Sequence, residues 1–333
     1  MYIINNNKIS DKKISIAIMS SFLVLTLQYL ILIFFNITGT PIGNKVQLVS
    51  KAIVGILYLV ALPDVLKRNR MKFIGINFLA VFIFIINYAV FPENHIHLRA
   101  IIFPMFFTCF PSLIYAYSIQ DWQVLMDVMR KTGKWVFLIG TIIAALIILE
   151  RVSIGVYSMS LSYYMLLPAI IYINDFIDSK DIKSGIGFLI SLLIILSLGS
   201  RGAIMCIGVF VILEFMRTLK DITYTKAIIY MLLLIIAVIA FIFLDIILLY
   251  LYDFLLSRGI NSRTIKLFLK DGVYLSGRDT LYEVVMKKIL DSPFIGIGLA
   301  GDRAYINGYV HNIFIEILAN FGVVLGTGLI FIL

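Results

Sequence analysis

The sequence predicts an all-α, polytopic integral membrane protein with about ten transmembrane helices and one long extracytoplasmic loop that contains short helices. Three observations support this fold class. First, hydrophobic residues make up 61% of the 333 residues and charged residues only 14%, whereas a soluble domain carries about 25% charged residues. Second, the apolar residues come in runs of about 15 to 26, which cross a bilayer when helical. Third, basic residues concentrate in the short segments between these runs.

Ten apolar runs qualify as spans. They cover residues 14–35, 46–66, 73–91, 99–119, 134–151, 158–174, 184–199, 202–219, 227–252 and 312–333. This gives nine spans within residues 1–252, a long extracytoplasmic loop over 253–311 and a last span over 312–333. The amphipathic segment "DWQVLMDVMRKTG" before the fifth span is expected to lie on the membrane surface. Because the last run has no polar exit, we expect a truncated chain that lacks one or two further spans.

The distribution of basic residues predicts the orientation of the spans. The loops on one side hold 15 Lys and Arg residues, and the short loops on the other side hold 5. Since basic loops stay in the cytoplasm, the N-terminus is predicted to be cytoplasmic and residues 253–311 to lie outside. The same distribution accounts for most of the net charge of +9, so we expect no nucleic-acid partner.

Three short motifs indicate neither a metal nor a cofactor. Cys109 and Cys206 lie within predicted spans, where a cysteine packs as a small apolar residue. "HIH" (95–97) offers two metal ligands without a neighbouring cysteine or carboxylate cluster, which favours a solvated loop. "GIGLAG" (296–301) matches G-x-G-x-x-G but lacks the preceding strand of a dinucleotide site. Its glycines are therefore expected to form a flexible turn with positive φ.

The long loop contains one predicted helix, "SGRDTLYEVVMKKILDSP", over residues 276–293. Its apolar face consists of Leu281, Val284, Val285 and Ile289. We expect this face to pack on the membrane domain and to hold Arg278 at the N-terminal end of the helix, where free backbone N–H groups and an arginine form an anion site. Three further arginines of the loop are expected to bind substrate, namely Arg258, Arg263 and Arg303.

Two further groups of polar residues lie at the predicted membrane boundary. Arg201 occupies the tight turn "GSRGA" between the seventh and eighth spans, at the outer face. In "VHNIFIEILANFG", Asn312, Glu316 and Asn320 recur every fourth residue and therefore share one face of the last helix. Such a face must look into the helix bundle or into a wet cavity, because lipid offers polar groups no hydrogen-bond partner. His311 marks the boundary between the loop and the span.

These residue types suggest a chemistry. Arginines can bind a phosphate or diphosphate group without a metal. A histidine can act as general base on an attacking hydroxyl, or orient it. Together they indicate transfer from a diphosphate-activated donor at the outer face of the membrane.

The C-terminal part of the chain also resembles a known family. The motifs SRG, GR, SP-x-x-G-x-G and HN-x-x-x-E follow one another over residues 185–333, in "GSRGA", "GRDTLYEVVMKKILDSPFIGIGLAG" and "HNIFIEILANFGVVLG". This order is similar to that of the O-antigen ligase and O-antigen polymerase (Wzy-like) family. The resemblance implies a GT-C-like glycosyltransferase of the bacterial cytoplasmic (inner) membrane with an extracytoplasmic, metal-independent active site. It implies that Arg201 and Arg278 hold the diphosphate, and that His311 deprotonates or positions the acceptor hydroxyl.

The function expected from the residues and the resemblance together is polymerisation of oligosaccharide repeat units for a surface polysaccharide, O-antigen or capsule. The donor would be an oligosaccharide linked to undecaprenyl diphosphate, with Asn312 and Glu316 contacting substrate beside the loop arginines. One alternative is an O-antigen ligase, which transfers the polymer to lipid A-core. A lipid-linked oligosaccharide flippase or transporter is the alternative from another class, although no internal repeat supports it. Expected partners are membrane lipid, a chain-length regulator and a flippase; no cofactor is expected.

Overall fold

The computed structural model of the chain is helical throughout the part that it describes. The described residues are 2–149, 151–152, 159–198, 201–219, 223–225, 227–228, 230–232, 234–235, 244–258, 278–306 and 308–332. Every secondary-structure element within these ranges is a helix, which confirms the predicted all-α class.

Twelve α-helices lie within the described ranges. They are α1 (Tyr2–Phe34), α2 (Pro41–Val90), α3 (His95–Pro104), α4 (Phe110–Tyr117), α5 (Trp122–Ile148), α6 (Met159–Ser179), α7 (Ile182–Leu198), α8 (Arg201–Thr218), α9 (Leu244–Ser257), α10 (Arg278–Asp291), α11 (Asp302–Ile306) and α12 (Ile313–Ile332). A 3₁₀ turn (Pro92–Asn94) joins α2 to α3, and a π-helical turn (Met105–Cys109) joins α3 to α4. The π-helical turn directly follows Pro104, which has no N–H group to donate within a helix.

The helices group into two compact units. Unit 1 consists of Met1–Leu62 and Ile119–Gly272, and unit 2 consists of Pro63–Ser118 and Val273–Leu333. Helix α2 therefore contributes its first part to unit 1 and its second part to unit 2.

The core of unit 1 is built from apolar side chains of α5, α6, α7 and α8. Its fully buried members include Val136, Met165, Ile173, Ile177 and Ile195. Gly185 and Gly187 of α7 allow close approach to α6, since a Cβ at these positions would lie 3.1 Å from the Phe176 ring and 3.0 Å from the Tyr172 ring. The two helices therefore interlock through side-chain shape.

A buried carboxylate ties α1 to the segment before α5 within unit 1. Asp11 is buried and accepts hydrogen bonds from the N–H groups of Gln120 at 3.1 Å and Asp121 at 3.2 Å. Asp121 itself caps α5 through its side chain, as expected for an aspartate before a helix. The amphipathic segment 121–133 is continuous with the predicted fifth span in this one helix.

Two predicted spans, 46–66 and 73–91, form the single long helix α2, which is broken at Asn69 (φ −135°, ψ 36°). The break is held by the end of α4. Arg68 Nη1 donates to the Ser118 carbonyl at 2.8 Å, and Asn69 Nδ2 donates to Ser118 Oγ at 2.9 Å. The basic segment that was predicted as a loop is thus a kink with side-chain hydrogen bonds.

Four helical segments within the described ranges are long and apolar enough to cross a membrane. They are Asn7–Phe34, Pro41–Val90, Pro92–Tyr117 and Ile313–Ile332. The apolar part of α7, Ile182–Leu196, is shorter. The expected total of ten spans is therefore not confirmed.

The helix predicted in the long loop is present as α10 (Arg278–Asp291) and packs on α12. Val285 and Ile289 are fully buried in a cluster with Val310 and Ala319. Val284, which was predicted to belong to the same face, is 41% exposed. The buried face is therefore shifted towards the partly buried Tyr282.

Candidate functional site

The glycine-rich turn of unit 2 has the backbone conformation that its sequence predicts. Gly296 and Gly298 have φ of 74° and 75°, a region that side-chain-bearing residues avoid. Both are buried, and the turn is packed between other elements. A Cβ at Gly296 would overlap the Ala319 carbonyl, and one at Gly298 would lie 2.5 Å from the Phe91 ring. The turn is thus a packed element of the structure, which the expectation of a flexible turn missed.

This turn is joined to a break in α12 by main-chain hydrogen bonds. Gly322 has φ 76° and ψ 175°, so the helix is interrupted there. In a continuous helix, the Val323 N–H would donate to the Ala319 carbonyl. Instead the Ala319 carbonyl accepts from the Ile297 N–H at 2.7 Å, and the Val323 N–H donates to the Pro293 carbonyl at 2.6 Å. Both groups released by the break are therefore satisfied by the loop.

The other side of the glycine turn is held by the junction between α2 and α3. Asn94, which is buried, donates from Nδ2 to the Ile297 carbonyl at 2.8 Å. Asn87 Oδ1 accepts from the Leu299 N–H at 2.8 Å. Two asparagine side chains thus fix backbone groups more than two hundred residues later in the chain.

The loop between the glycine turn and α12 is fixed at a short segment around His311. Asp302, the first residue of α11, is buried, and its Oδ2 accepts from the Val310 N–H at 3.2 Å. On the other side, Asn312 Oδ1 caps α12 by accepting from the N–H groups of Phe314 at 3.0 Å and Ile315 at 3.3 Å. The turn is therefore anchored on both sides of His311.

His311 itself has a left-handed backbone conformation, with φ 57°. Such a conformation costs a residue with a side chain about 1 to 3 kcal/mol, and it persists where neighbouring structure imposes it. The side chain is exposed, and its ring lies 3.8 Å from the Tyr309 ring, tilted by 45°. The structure thus presents the imidazole at the surface on a turn whose backbone is constrained.

Charged side chains surround the anchor of this turn. The charges of Asp302 and Arg303 both act on the Glu316 carboxyl, so these three residues lie close together. Burial raises the pKa of Asp302 above its ordinary value, although the Val310 N–H and the Arg303 charge oppose the shift. The Arg303 Nε–H is buried and has no hydrogen-bond partner among the described residues. Arg303 and Glu316, both predicted to bind substrate, therefore lie near the turn that carries His311.

The two predicted diphosphate-binding arginines occupy equivalent positions in their own helices. Arg201 is the first residue of α8 in unit 1, and Arg278 is the first residue of α10 in unit 2. The N–H groups of a first helical turn point away from the helix and favour anions. Each arginine is thus the first described residue of its helix, and its binding to a diphosphate stays a prediction.

The structure describes two of the three remaining residues that were predicted to bind substrate. Arg258 follows α9, and its guanidinium lies 5.9 Å from the centre of the Phe254 ring. Arg263 lies outside the described residues. Asn312 uses its Oδ1 to cap α12, and its contact with substrate stays a prediction.

The histidines of "HIH" belong to helix α3 and are not in a solvated loop. The His95 ring stacks on the Tyr88 ring at 3.6 Å, and its Nε2 lies 2.7 Å from the Tyr88 carbonyl. Arg99 donates to the Tyr88 hydroxyl at 3.1 Å. Within the part of the chain that the structure describes, no three His, Cys, Asp or Glu side chains come together as a metal site would require.

Sequence reasoning missed Asp302, Asn87 and Asn94. Asp302 had a usable signal, since an aspartate directly after the glycine motif "GIGLAG" is well placed to start a helix. Asn87 and Asn94 had none, because their partners are distant in the sequence.

Comparison with known proteins finds a similarity to a known family in the C-terminal part of the chain. Residues 186–330 match the profile of the O-antigen ligase family, whose members are glycosyltransferase-like enzymes. No curated protein and no solved structure matches the chain. The matched region contains α8, α10, α12 and both segments that carry the SP-x-x-G-x-G and HN motifs. These residues, somewhat less than half of the chain, are similar to the O-antigen ligase family.

Proposed function

We propose that the protein is a membrane glycosyltransferase that polymerises oligosaccharide repeat units of a surface polysaccharide. The observation that carries this proposal is the constrained, surface-exposed His311, anchored through Asp302 and Asn312 within the family-matched region. An exposed base on a fixed turn is suited to a large acceptor that arrives from outside the protein.

The proposed reaction is a displacement at the anomeric carbon of the donor sugar. His311 accepts the proton of an acceptor hydroxyl as the oxygen of that hydroxyl forms a bond to the anomeric carbon. The bond between the anomeric carbon and the diphosphate oxygen breaks, and the diphosphate leaves with the bonding electron pair. The products are the new glycosidic bond and the polyprenyl diphosphate, and the proton taken by His311 then passes to water.

Arg201 and Arg278 are proposed to hold the diphosphate and to balance the charge that develops on it as it leaves. A guanidinium can donate two parallel hydrogen bonds to phosphate oxygens, and it remains charged at any physiological pH. In this proposal the arginines do what a divalent metal does in other transferases.

The proposed donor is an oligosaccharide linked to undecaprenyl diphosphate on the outer leaflet of the bacterial cytoplasmic membrane. Arg303 is proposed to contact a sugar near His311, because it follows Asp302, whose carboxylate anchors the turn that carries His311. Glu316 is proposed to accept hydrogen bonds from sugar hydroxyls at the same place, and Asn312 and Arg258 are further residues proposed to contact the donor. A flippase that delivers the donor and a chain-length regulator are the partners that this reaction calls for.

The second candidate function is the ligase reaction, which the matched family's name favours. A ligase would use the same donor chemistry with lipid A-core as the acceptor. The residues at His311 do not distinguish the two acceptors, since both supply a sugar hydroxyl.

Deletion of the gene in the source bacterium separates the two functions. A polymerase mutant accumulates single lipid-linked repeat units, whereas a ligase mutant accumulates full-length polymer that is not attached to lipid A-core. If neither product accumulates and the surface polysaccharide is unchanged, the proposal is wrong.

Complementation of the deletion strain then tests His311. His311→Gln keeps a hydrogen-bonding side chain but removes the base, so we expect about 100-fold less product or lower. His97→Gln in α3 is the matched control and should restore the polysaccharide fully. Arg278→Lys keeps the charge but loses the two-pronged donor, and should retain about a tenth of the activity. Normal product from His311→Gln, at wild-type protein levels, would refute the catalytic role.

A further inference from the structure

We propose that the break in α12 at Gly322 lies at the surface of the membrane. In this arrangement the first half of α12 stands outside the hydrocarbon layer. Leu290 at the end of α10 and the loop residues Phe294 and Ile295 contact the bilayer at the boundary between headgroups and acyl chains. The partner of this loop surface is therefore lipid.

The junction between α2 and α3 provides the reference level. Two candidate spans, Pro41–Val90 and Pro92–Tyr117, end and begin one residue apart. A chain that leaves one span and enters the next within a single residue must do so at one face of the bilayer. Phe91, between the spans, therefore marks that face.

The glycine turn lies at this level. A Cβ on Gly298 would lie 2.5 Å from the Phe91 ring, and Asn94 and Asn87 bind the backbone of Ile297 and Leu299. The Ile297 N–H in turn donates to the Ala319 carbonyl of α12 at 2.7 Å. Ala319 is therefore also at the level of the membrane face.

The two halves of α12 differ in their polar residues, as expected if the membrane surface lies near Ala319. The half before the break carries Glu316 and Asn320, and the half after the break, residues 323–332, has Thr327 as its one polar side chain. Ala319 is six residues after Ile313, which corresponds to about 9 Å of helix. The half that carries Glu316 and Asn320 therefore projects away from the hydrocarbon, and the half after the break enters it.

The loop beside the break has the surface of an interfacial segment. Leu290, Phe294 and Ile295 are 69%, 74% and 62% exposed. The neighbouring Lys288 and Asp291 form an exposed ion pair of 2.9 Å. Apolar side chains next to exposed charges match the boundary between headgroups and acyl chains, and charges of this kind would not be tolerated at the centre of the bilayer. Because the loop lies at the level of Phe91, between two spans, lipid is the proposed partner of these exposed apolar side chains.

Tryptophan fluorescence can measure these depths, because three exposed phenylalanines are proposed to lie at the membrane surface, in water and in the hydrocarbon. Trp122 and Trp135 are first replaced by phenylalanine. Single tryptophans are then introduced as Phe294→Trp, Phe314→Trp and Phe331→Trp, at side chains that are 74%, 54% and 87% exposed. The full chain is reconstituted in phosphatidylcholine vesicles whose acyl chains are brominated either near the headgroup or near the chain end, since bromine quenches fluorescence on contact. Helical content must equal that of the parent.

We expect a different response at each level. Phe294→Trp should be quenched at least twofold more by bromine near the headgroup than by bromine near the chain end. Phe331→Trp, nine residues or about 14 Å beyond the break, should show the reverse. Phe314→Trp should be quenched by aqueous acrylamide and little by either lipid.

Three results would overturn the proposal. The first is stronger quenching of Phe294→Trp by bromine near the chain end, which would place the loop deep in the bilayer. The second is equal lipid quenching of Phe314→Trp and Phe331→Trp, which would embed all of α12. The third is no lipid quenching of Phe294→Trp, which would mean that protein covers the loop. None of these depends on the glycosyl-transfer reaction.

Discussion

Units 1 and 2 hold their helices together by different means. In unit 1, α6 and α7 pack through buried apolar side chains such as Ile173 and Ile195, and glycines let the rings of Phe176 and Tyr172 approach. In unit 2, the loop after α10 is joined to α12 by main-chain hydrogen bonds across a helix break.

The difference shows where each unit tolerates change. Side-chain packing can adjust to a similar side chain at a modest cost in free energy. A main-chain hydrogen bond that depends on a glycine conformation has no such alternative. Since the turn that carries His311 follows this second kind of contact, the position of the proposed base depends on backbone geometry more than on core volume.

The largest effect is expected from Gly322→Ala. Its φ of 76° and ψ of 175° lie in a region that only glycine adopts readily, and a Cβ would lie 2.5 Å from the Phe294 carbonyl. We expect a loss of at least about 3 kcal/mol of unfolding free energy. The measurement is denaturation of the purified protein in detergent, followed by circular dichroism.

Gly328→Ala in the same helix is the control for Gly322→Ala. A Cβ at Gly328 meets nothing within 4 Å, so alanine should stabilise the helix by about 0.5 to 1 kcal/mol. Equal effects at the two positions would mean that the break in α12 is not a constraint on the fold.

A smaller loss is expected from Asn94→Ala, which removes the donor to the Ile297 carbonyl. A buried carbonyl left without a partner costs about 1 to 3 kcal/mol. Asn77→Ala in α2 is the matched control, because Asn77 donates to the Phe73 carbonyl of its own helix at 2.8 Å, a group that the helix already satisfies. Thermal unfolding in detergent should show the loss for Asn94→Ala only, and the comparison between units fails if Asn77→Ala costs as much.

A pH-dependent effect is expected from Asp302→Asn. The amide oxygen can still accept from the Val310 N–H, but the buried charge is gone. Burial raises the pKa of Asp302, so folding favours the protonated form. This contribution to stability is complete below the ordinary pKa of about 3.9 and is lost as the pH rises through the raised pKa. The wild type should therefore lose stability relative to Asp302→Asn as the pH rises from about 4 towards neutral.

The groups that face Asp302 are common to both proteins. Arg303 keeps its charge in both proteins, and all distant titrations cancel in the difference. Glu316 interacts with the Asp302 charge, so the difference reports these two coupled carboxyls together. The check is the difference in unfolding midpoint between the two proteins over a pH series. A difference that does not change with pH would show that Asp302 does not titrate in the folded state.

The parts of unit 2 that could be predicted from the sequence are those that local chemistry determines. The helix at Arg278–Asp291 follows from its apolar periodicity and from Pro293, and positive φ at Gly296 and Gly298 follows from the residue type. The exchange of hydrogen bonds at the break in α12 could not be predicted, because "NFGVVLG" reads as a continuous apolar helix and a single glycine is tolerated within one.

The contacts of Asn87 and Asn94 also could not be predicted from the local sequence. In "NYAVFPENHIHLRA" nothing local indicates that Asn87 and Asn94 bind backbone groups near residue 298, since partners so distant in sequence are brought together only by folding. The kink at Asn69 is similar, because its hydrogen bonds go to Ser118. Local patterns thus predicted the helices, whereas the contacts that hold the glycine turn and the kink at Asn69 came from long-range pairing.

The smallest effect is expected in unit 1, from Arg130→Gln. Arg130 of α5 forms an ion pair of 3.0 Å with Asp175 of α6, and the two side chains are 45% and 27% exposed. Water screens such a pair, so its removal should cost less than about 1 kcal/mol. Ala169→Leu, which adds volume at a fully buried position of the same helix α6, is the contrasting variant and should cost about 1 to 3 kcal/mol. If the order of these two losses in detergent unfolding were reversed, α5 and α6 would be held together by charge, and the contrast between a packed unit 1 and a hydrogen-bonded unit 2 would not stand.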